Sequence, residues 1–350
     1  MRKSKIVAIG NVKIGGDSPV SIQTMIKSRS QEYNKILREI FRLKENGCQI
    51  VRIAYKDSSE SGFLKKIIEA SPLPLEADVH FDASLASSAL EMGISALRIN
   101  PGNISKDRLK KIVSAAKNRA VPIRVGANIG SLPAKYMLKH GPVKGMVELV
   151  KEYVGYLEKT RFRDIIISLK ADSVIDTYAA NLSISRFFEY PLHLGVTATG
   201  SGISSLVKSS IGIGSLLIQG IGDTIRVSLT DSALKEVEAA KEILSALGLR
   251  KSGIEIISCP GCGRARIDIL RVAQSVKKEL SKITTDKYLK CAVMGCEVNG
   301  PGEARSADIG VAGGNKCAIL FKKGRMERKI KEQDILSVLI SETKNIIRVI

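Results

Sequence analysis

The first 250 residues repeat one pattern eight times: a short apolar run rich in β-branched residues, a loop, and an amphipathic stretch with helical spacing. The clearest helical stretches lie at residues 33–46, 106–119 and 143–159. Near-continuous apolar strands that alternate with helices are typical of a parallel sheet covered by helices. Eight such units in about 250 residues predict a TIM (β/α)8 barrel, of the α/β class. The eight strand-like runs are residues 20–25, 50–55, 74–80, 96–101, 122–128, 164–172, 191–197 and 223–229.

A doubly wound open sheet is the alternative, and it usually places a Gly-rich phosphate loop after its first strand. Gly15 and Gly16 instead precede that strand. The helical stretch at 232–247 completes the barrel, so we expect two domains, 1–250 and 251–350. The second domain indicates a small α+β fold. Its strand-like runs are residues 254–258, 288–294, 308–312 and 317–321, and its helical stretches are 268–280 and 333–347.

The second domain also contains the strongest chemical signal, a Cys259-Pro-Gly-Cys262 motif followed by Cys296 and Glu303 in Gly/Pro-rich sequence. A Cys-x-x-Cys turn lets two thiolates face one metal or cluster. Three thiolates are one short of the usual four ligands, and an open position is typical of catalytic metal sites. The pattern therefore favours an iron–sulfur site with reaction chemistry at its open iron.

Two other kinds of cysteine site stay open. A redox dithiol normally begins a helix early in a small domain, whereas this pair comes late in the chain. A zinc ribbon requires a second Cys-x-x-Cys, and Cys291 and Cys296 have the wrong spacing for one. Cys48 and Cys317 are interpreted as structural cysteines, and Cys291 is compatible with either packing or ligation.

A second pattern places one cation inside each of five apolar strands of the first domain. Because side chains alternate along a strand, apolar neighbours that pack under the helices direct these cations into the barrel. A buried cation requires an anion, and guanidinium groups match phosphate oxygens. The pattern predicts a polyanionic ligand, most simply a diphosphate. The five cations are Arg52, Arg98, Arg124, Lys170 and Arg226.

The alternative for these cations is pairing with internal carboxylates alone, for which Glu76, Asp78, Asp82 and Asp223 are available. Neutral polar residues also fall where barrel strands end, which is where barrel active sites lie. They are His80, Asn100, Asn128 and Thr197. His80 and His193 are each candidates for proton transfer, and a packed, hydrogen-bonded histidine is the other interpretation of both.

Composition limits the class of partner. The formal net charge is +20, which favours anionic partners. A nucleic-acid-binding iron–sulfur protein is the competing function, but aromatics make up 4% of the chain and Trp is absent, so stacking platforms are scarce. No apolar run approaches the roughly 20 residues of a membrane span, and the basic N-terminus lacks a signal peptide's apolar core. We expect a cytoplasmic protein that binds neither membrane nor nucleic acid.

Several longer motifs resemble those of bacterial 4-hydroxy-3-methylbut-2-enyl diphosphate synthases, enzymes of the non-mevalonate isoprenoid pathway. The likeness runs from about residue 7 to residue 321. The motifs are Ala-Asp-Val-His-Phe-Asp at 77–82, Leu-Arg-Ile-Asn-Pro-Gly-Asn at 97–103, Gly-Ile-Gly-Asp-Thr at 220–224, Cys-Pro-Gly-Cys at 259–262, Val-Asn-Gly-Pro-Gly-Glu at 298–303 and Gly-Gly-Asn-Lys at 313–316.

The resemblance implies a TIM barrel joined to a reductase-like domain that holds one 4Fe–4S cluster per chain. It implies a homodimer in which the cluster domain of one subunit caps the barrel of the other. The implied substrate is 2-C-methyl-D-erythritol 2,4-cyclodiphosphate, whose ring is opened with loss of a hydroxyl as water in a two-electron reduction. The implied electron donor is a flavodoxin or a ferredoxin, both acidic.

Site residues follow from the resemblance motif by motif. The implied cluster ligands are Cys259, Cys262 and Cys296, with Glu303 as the exchangeable ligand. The implied diphosphate contacts are the five strand cations, and the polar helpers are Asn100, Asn128, Ser228 and Asn299. The candidate catalytic residues are Glu303, His80, Thr197 and Asn299.

The chain departs from the family pattern at two places. The usual Gly-x-Thr-Glu-Ala-Gly reads Gly-Val-Thr-Ala-Thr-Gly at 195–200, so Ala198 replaces a Glu thought to assist proton transfer or hold the substrate hydroxyl. The usual Gln-Ser-Met-Thr of the first strand reads Gln-Thr-Met-Ile at 23–26. Two hypotheses remain, an active but diverged enzyme and a cluster-bearing homologue with altered or lost turnover.

Overall fold

The computed structural model describes residues 2–28, 32–79, 82–251, 253–283, 285, 287–297, 302 and 304–349. Within it the chain divides into two compact units, Met1–Arg250 and Lys251–Ile350. Each unit has its own apolar core. None of the described helices is long and apolar enough to cross a membrane.

The first unit is built around an eight-stranded parallel sheet in the order β8-β7-β6-β5-β4-β3-β10-β9. The two ends of this sheet meet, because Ile167 bridges Leu192 and the Thr197 amide donates to the Ala171 carbonyl at 3.0 Å. The predicted TIM barrel is therefore confirmed. The strands of this unit are β1 Val7–Ile9, β2 Val12–Ile14, β3 Ser21–Met25, β4 Ile50–Ala54, β5 Leu75–Asp78, β6 Ala96–Ile99, β7 Ile123–Asn128, β8 Ile165–Lys170, β9 His193–Leu194 and β10 Thr224–Ile225.

Nine helices are described around this barrel, and their apolar faces cover the strands. In the first helix, for example, Ile36, Ile40 and Leu43 are buried at helical spacing. Ser105, Ser173 and Ser232 cap helix N-termini by accepting a backbone N–H three residues on. The helices are α1 Tyr33–Glu45, α2 Ser61–Ala70, α3 Ala83–Glu91, α4 Lys106–Asn118, α5 Ala134–His140, α6 Pro142–Lys159, α7 Val174–Ile184, α8 Gly202–Ile218 and α9 Ala233–Ala246.

Strands β9 and β10 are shorter than the sequence pattern predicts. Their ladder contains two residue pairs, Thr224 with His193 and Ile225 with Leu194. The apolar pattern continues past them because Val196 and Val227 are still fully buried. Burial of alternate side chains thus extends beyond backbone pairing, so hydrophobic periodicity overestimates the length of these two strands.

A hairpin of β1 and β2 closes the amino-terminal end of the barrel, and the sequence pattern did not predict it. Val7, Ile9 and Ile14 are buried against Ile50, Ala96 and Ile166, which belong to β4, β6 and β8. Two three-residue strands are too short for a periodicity signal. Because the hairpin fills this end, the carboxyl ends of the strands are left for ligand entry.

The second unit is a five-stranded sheet in the order β11-β12-β13-β14-β15, and two of its described helices pack on its core. Strands β11 to β13 are parallel, and β14 and β15 are antiparallel additions. Strand β15 was not predicted, because its residues are charged and almost all exposed, as is typical of an edge strand. The elements are β11 Gly253–Ser258, α10 Ile269–Leu280, β12 Tyr288–Met294, β13 Ile309–Gly314, β14 Cys317–Lys322, β15 Arg325–Lys331 and α11 Ile335–Val349.

The hairpin makes a testable contribution to barrel stability. Ile14 is fully buried, so Ile14→Ala removes apolar contacts and leaves a cavity. We expect the free energy of unfolding to fall by about 2–4 kcal/mol in denaturant titrations followed by circular dichroism. Lys13→Ala, at the exposed neighbouring position, is the matched control and should change it by less than about 0.5 kcal/mol. Equal stability of the two variants would contradict a closing role for the hairpin.

Candidate active site

The barrel lumen contains a cluster of five cations, one each from β4, β6, β7 and β8 and one directly after β10. Their apolar neighbours, such as Val51 and Ile53 beside Arg52, lie in the core under the helices, so the cations face inward. Arg98, Arg124 and Lys170 are at most 5% exposed. The cluster consists of Arg52, Arg98, Arg124, Lys170 and Arg226 and is called the lumen cluster below.

Two glycines make room for the lumen cluster. A Cβ atom at Gly126 would lie 2.9 Å from the Arg98 Nε, and one at Gly195 would lie 2.7 Å from the Lys170 Nζ. Neither distance is tolerable for real atoms, so both positions require glycine unless the cation moves. Sequence reasoning missed this role, although a glycine inside a strand often marks a close approach.

Carboxylates neutralise part of the lumen cluster. Glu76 accepts from Arg124 in a buried ion pair, and Asp78 accepts from Arg98 at 3.0 Å and lies 3.7 Å from Arg52. The two other predicted partners are elsewhere. Asp82 caps α3, and Asp223 accepts from the Ser4 hydroxyl and the Leu192 amide.

Glu236 is a third carboxylate of the site, and sequence reasoning missed it. Its oxygens lie 3.3 and 3.4 Å from the Arg226 guanidinium and 2.8 Å from the Lys27 Nζ. Burial alone would raise the pKa of this carboxyl, but Arg226, Lys27 and the Leu229 amide more than offset it and lower the pKa. Glu236 lies in the first turn of α9. An acidic residue there is expected simply because it stabilises the helix N-terminus, so the sequence contains no sign of a role in the site.

Three carboxylates against five cations leave positive charge in excess, and the excess falls on Lys170. Its Nζ lies 3.2 Å from His193 Nε2, and no carboxylate pairs with it among the described residues. Burial and then the four guanidinium groups lower the pKa of Lys170 well below that of a free lysine. An anion entering the lumen would reverse this effect.

His193 is fully buried, and burial and the surrounding cations also lower its pKa well below the usual value. The imidazole is therefore neutral, and its Nε2 lies within hydrogen-bond distance of the Lys170 Nζ. Nδ1 has no hydrogen-bond partner in the described part of the chain. His193 thus holds the Lys170 side chain in place, in line with a packed, hydrogen-bonded histidine, and its role in proton transfer stays a prediction.

Strand β3, the first strand of the barrel, contributes two contacts at the mouth of the barrel. The Met25 sulfur accepts from Arg52 at 3.0 and 3.2 Å, which keeps that guanidinium beside a weak acceptor rather than a second carboxylate. The Thr24 hydroxyl donates to Glu236 at 2.7 Å. The change from Ser to Thr in this strand therefore retains a hydroxyl that holds a buried carboxylate.

Asn100, one of the predicted neutral residues, connects two loops. The Asn100 side chain donates to the Ser131 hydroxyl at 2.9 Å and accepts from the Gly102 amide, and Ser131 in turn donates to the Asn128 carbonyl. Ser131 was missed because a Ser in a loop carries no distinguishing signal. The loops after β6 and β7 are thus held together beside the lumen cluster.

The segment around the substituted Glu lies in the loop after β9. Ala198 is exposed and has a left-handed backbone with φ of 51°, and Thr197 is half-buried. The Thr199 hydroxyl donates to the Ser228 carbonyl and is buried, so it is committed to joining two loops. Thr199 is therefore a poor substitute for the missing acid.

The predicted cluster cysteines follow the carboxyl ends of neighbouring parallel strands. Cys259 and Cys262 come after β11, and Cys296 comes after β12, which pairs with it. The Gly295 amide donates to the Cys259 sulfur at 3.2 Å, and a Cβ at Gly295 would lie 3.2 Å from the Ala265 Cβ. Glycine at this position lets the two loops come together.

Donor chemistry and placement fit a thiolate-bound cluster, but the ligands are not closed around a metal-sized space. Among the described residues no three His, Cys, Asp or Glu side chains are close enough to hold a metal ion. Cys262 is exposed and Cys259 half-buried, whereas Cys296 is buried. His80, Asn299 and Glu303 lie outside the described residues, so the structure places none of them.

Two other cysteines are distinguished by their surroundings. Burial raises the pKa of both Cys48 and Cys291 to about 12, so both are neutral thiols at physiological pH. A metal ligand must be a thiolate. The ambiguous Cys291 is a fully buried member of the second unit's core, as expected for packing.

Comparison with known proteins decides the family. The family described as GcpE TIM-barrel domain matches residues 4–241, and the GcpE protein C-terminal domain matches residues 255–345. The chain belongs to the GcpE family. The two matches together leave only the junction and the termini of this GcpE chain unmatched.

Similar curated proteins carry the name 4-hydroxy-3-methylbut-2-en-1-yl diphosphate synthase (flavodoxin). That of Caldanaerobacter subterraneus subsp. tengcongensis is 46% identical over 99% of both chains. That of Clostridium tetani is 47% identical over 99% of both chains. That of Lawsonia intracellularis is 48% identical over 99% of this chain and 97% of its own.

Solved structures similar to this GcpE chain share its fold alone. The N-acetylneuraminic acid (sialic acid) synthetase of Leptospira borgpetersenii aligns with a TM-score of 0.50 and 16% identity, over 70% of this chain and 90% of that chain. The dihydropteroate synthase of Yersinia pestis aligns with a TM-score of 0.50 and 12% identity, over 71% and 100%. At these identities nothing about activity transfers.

The depressed pKa of Lys170 predicts proton uptake when an anion binds. An anion in the lumen raises this pKa, so between the free and bound values binding takes up a proton and affinity falls as pH rises, by at most about tenfold per unit. Calorimetry with inorganic pyrophosphate in two buffers of different ionisation enthalpy measures that uptake. Lys170→Arg keeps the positive charge but does not titrate in this range. It is therefore the control for protons that pyrophosphate itself takes up or releases on binding. Equal proton uptake by both proteins would exclude Lys170 as the titrating group.

Proposed function

We propose that this GcpE chain reduces 2-C-methyl-D-erythritol 2,4-cyclodiphosphate to 4-hydroxy-3-methylbut-2-enyl diphosphate. The reaction opens the cyclic diphosphate and removes one hydroxyl as water, with two electrons supplied from outside. The observation that carries the proposal is the lumen cluster, whose five cations face three carboxylates inside a barrel of this family. It is an iron–sulfur oxidoreductase on this proposal.

The lumen cluster is the proposed diphosphate site. Guanidinium forks bind phosphate oxygens in pairs, and an ammonium adds a point charge. Arg124 and Arg98 are each tied to one carboxylate, which fixes their direction. In the described part of the chain Lys170 is hydrogen-bonded to His193 alone, so it is the cation most in need of an anion. Asn100, Asn128 and Ser228 lie at the strand ends beside it and are proposed polar contacts.

A 4Fe–4S cluster is the proposed redox group. Cys259, Cys262 and Cys296 would hold it, with Glu303 as the exchangeable ligand. When bound, it would relay to the substrate, one at a time, the two electrons that the external donor supplies. The placement of the three thiols after two paired parallel strands supports this assignment, as does the glycine that lets their loops meet.

The proposed partners follow from the same reaction. The similar proteins carry flavodoxin in their names, and an acidic flavodoxin or ferredoxin suits a chain with a net charge of +20. We propose a homodimer, as the sequence resemblance implies, and a cytoplasmic location, where thiols stay reduced.

The direct test is turnover by anaerobically purified protein. With dithionite and a viologen as reductant, we expect the cyclic diphosphate to yield the linear allylic diphosphate, detected by 31P NMR. Changing Cys259, Cys262 or Cys296 to Ser should remove both iron and turnover. Cys291→Ser and Cys48→Ser, at positions with neutral thiols, are the matched controls and should keep the iron. A Cys48→Ser protein without iron would overturn the ligand assignment. Full activity without iron would overturn the cluster as the redox group, and iron-loaded protein without turnover would overturn the function.

Ala198 leaves the proton chemistry of this reaction incomplete. A Glu at this position would offer an acid at the rim of the lumen, where a leaving hydroxyl needs a proton. The Thr199 hydroxyl is committed to the Ser228 carbonyl. The remaining proposed sources are Thr197, which is half-buried beside Ala198, His80 and water.

Restoring the acid should therefore raise the rate. General acid assistance contributes typically 10²–10⁴-fold, and existing donors replace part of it, so we expect Ala198→Glu to raise kcat by about tenfold or more. Ala198→Gln has nearly the same size without the acid and should not raise it. Iron content and substrate affinity are measured alongside, because a carboxylate near a diphosphate also repels it. Normal binding with no gain in rate would show that this site already has a sufficient proton donor.

A further inference from the structure

The short segment after the Cys-x-x-Cys turn is fixed against both cysteine-bearing loops of the second unit. The Ala265 amide donates to the Cys262 carbonyl at 2.9 Å, which ties the segment to its own turn. The Arg266 amide donates to the Gly295 carbonyl at 2.8 Å, and Gly295 directly precedes Cys296. Side chains of this segment are therefore held beside both loops that carry the predicted cluster ligands.

Helix α10 begins directly after this segment and packs on the same turn. A Cβ at Gly261 would lie 3.0 Å from the Ile269 Cγ2, so the first turn of α10 contacts the Cys-Pro-Gly-Cys turn. Asp268 caps the helix by accepting from the Arg271 amide at 3.1 Å. Ile267, between the segment and the helix, is buried in the core of the unit. The segment and the first turn of α10 thus form one fixed surface.

This surface is basic and contains one exposed large apolar side chain. Arg264, Arg266 and Arg271 are exposed, and the described ion pairs of the second unit involve none of them. Leu270, next to Arg271, is 67% exposed. Asp268 is the only acidic residue between positions 259 and 278. We call Arg264, Arg266, Leu270 and Arg271 together the α10 patch.

Charge and position indicate an acidic electron carrier as the occupant of the α10 patch. Opposite charges guide two proteins into an encounter, and electron-transfer complexes are small, so a few cations around an apolar contact suffice. Arginine is enriched at protein interfaces, whereas lysine is depleted. The rate of electron transfer falls steeply with distance, and the α10 patch lies directly beside the proposed cluster ligands.

Other surfaces and occupants fit less well. The edge strand β15 is also basic, but it lies three strands away from β12 in the sheet, and its Arg328 is paired with Glu342 at 3.1 Å. A second copy of the α10 patch would be repelled by like charge. A single-stranded nucleic acid would favour aromatic side chains for stacking, and none of the four side chains of the α10 patch is aromatic.

We propose that the α10 patch is the docking surface for an acidic flavodoxin that delivers electrons to the second unit. This inference rests on the proposed function, which requires an external electron donor, and it names the surface that receives that donor. Each encounter passes one electron from the reduced flavin to the proposed cluster, so two encounters supply the two electrons that the reaction consumes. Charge reversal within the α10 patch then weakens flavodoxin binding without changing the reaction itself.

Binding of a purified flavodoxin to the anaerobic holoprotein tests the surface directly. We expect Arg271→Glu to raise the dissociation constant from isothermal titration calorimetry at least about tenfold, because an attractive contact becomes a repulsive one. Lys329→Glu, at an exposed position on β15, makes the same change of charge at the far edge of the sheet. At an ionic strength of about 0.1 M distant charges are largely screened, so this control should bind within about twofold of the parent. Iron content and the far-ultraviolet spectrum should match the parent in both variants.

Turnover separates docking from the reaction. With reduced flavodoxin we expect Arg271→Glu to raise the KM for flavodoxin at least about tenfold. With dithionite and a viologen its turnover should match the parent, because small reductants need no docking surface. Should Arg271→Glu not fold, Arg266→Glu replaces it, because that side chain is exposed and only the backbone is tied to Gly295.

Three results overturn the proposal. They are a parent that does not bind flavodoxin, a charge-reversed protein that binds it as the parent does, and an equal loss of viologen-driven turnover. Displacement of flavodoxin by short duplex DNA would identify the α10 patch as a nucleic-acid surface instead and also overturn it. Absence of turnover by the parent with either reductant would overturn the proposed function, while the calorimetric comparison would still decide the docking surface.

Discussion

Packing five cations into one barrel lumen is the interaction on which the rest of the site depends. An unpaired buried charge costs several kcal/mol, so the surrounding residues are arranged to lower that cost without removing the charge. Glu76, Asp78 and Glu236 each hold a guanidinium, and Gly126 and Gly195 leave space for Arg98 and Lys170. The compensation is incomplete at Lys170, and this imbalance supports the proposed anion site.

Both units place their reactive groups where parallel strands end. In the barrel, the hairpin of β1 and β2 fills the amino-terminal end, and the lumen cluster occupies the lumen beyond it. In the second unit, the cysteines follow β11 and β12, which are paired in parallel. The loops after β11 and β12 are free of ladder constraints, so their side chains can be exchanged without loss of the fold.

The departures from the family pattern differ in their consequences. Thr24 retains the hydroxyl that holds Glu236, so the altered first strand preserves its contact. Ala198 replaces an acid with a side chain that cannot donate a proton, and the neighbouring Thr199 is already committed. On the proposed function, the residues for binding are therefore retained while the proton supply is altered. We therefore expect the substrate affinity to match that of the family. The rate depends on the proton donors that remain.

The sequence by itself determined the barrel, the small α+β domain and the inward direction of five cations, because hydrophobic periodicity is a local property with a strong signal. It also indicated the three thiols through their motif. Tertiary structure alone decided that Glu236 from a helix completes the charge balance, that His193 orients Lys170, and that Asp82 and Asp223 serve elsewhere. It likewise revealed the closing hairpin and the edge strand β15. These features depend on which residues distant in the chain come within a few ångströms of one another, and the pattern of neighbours along the sequence contains no record of that.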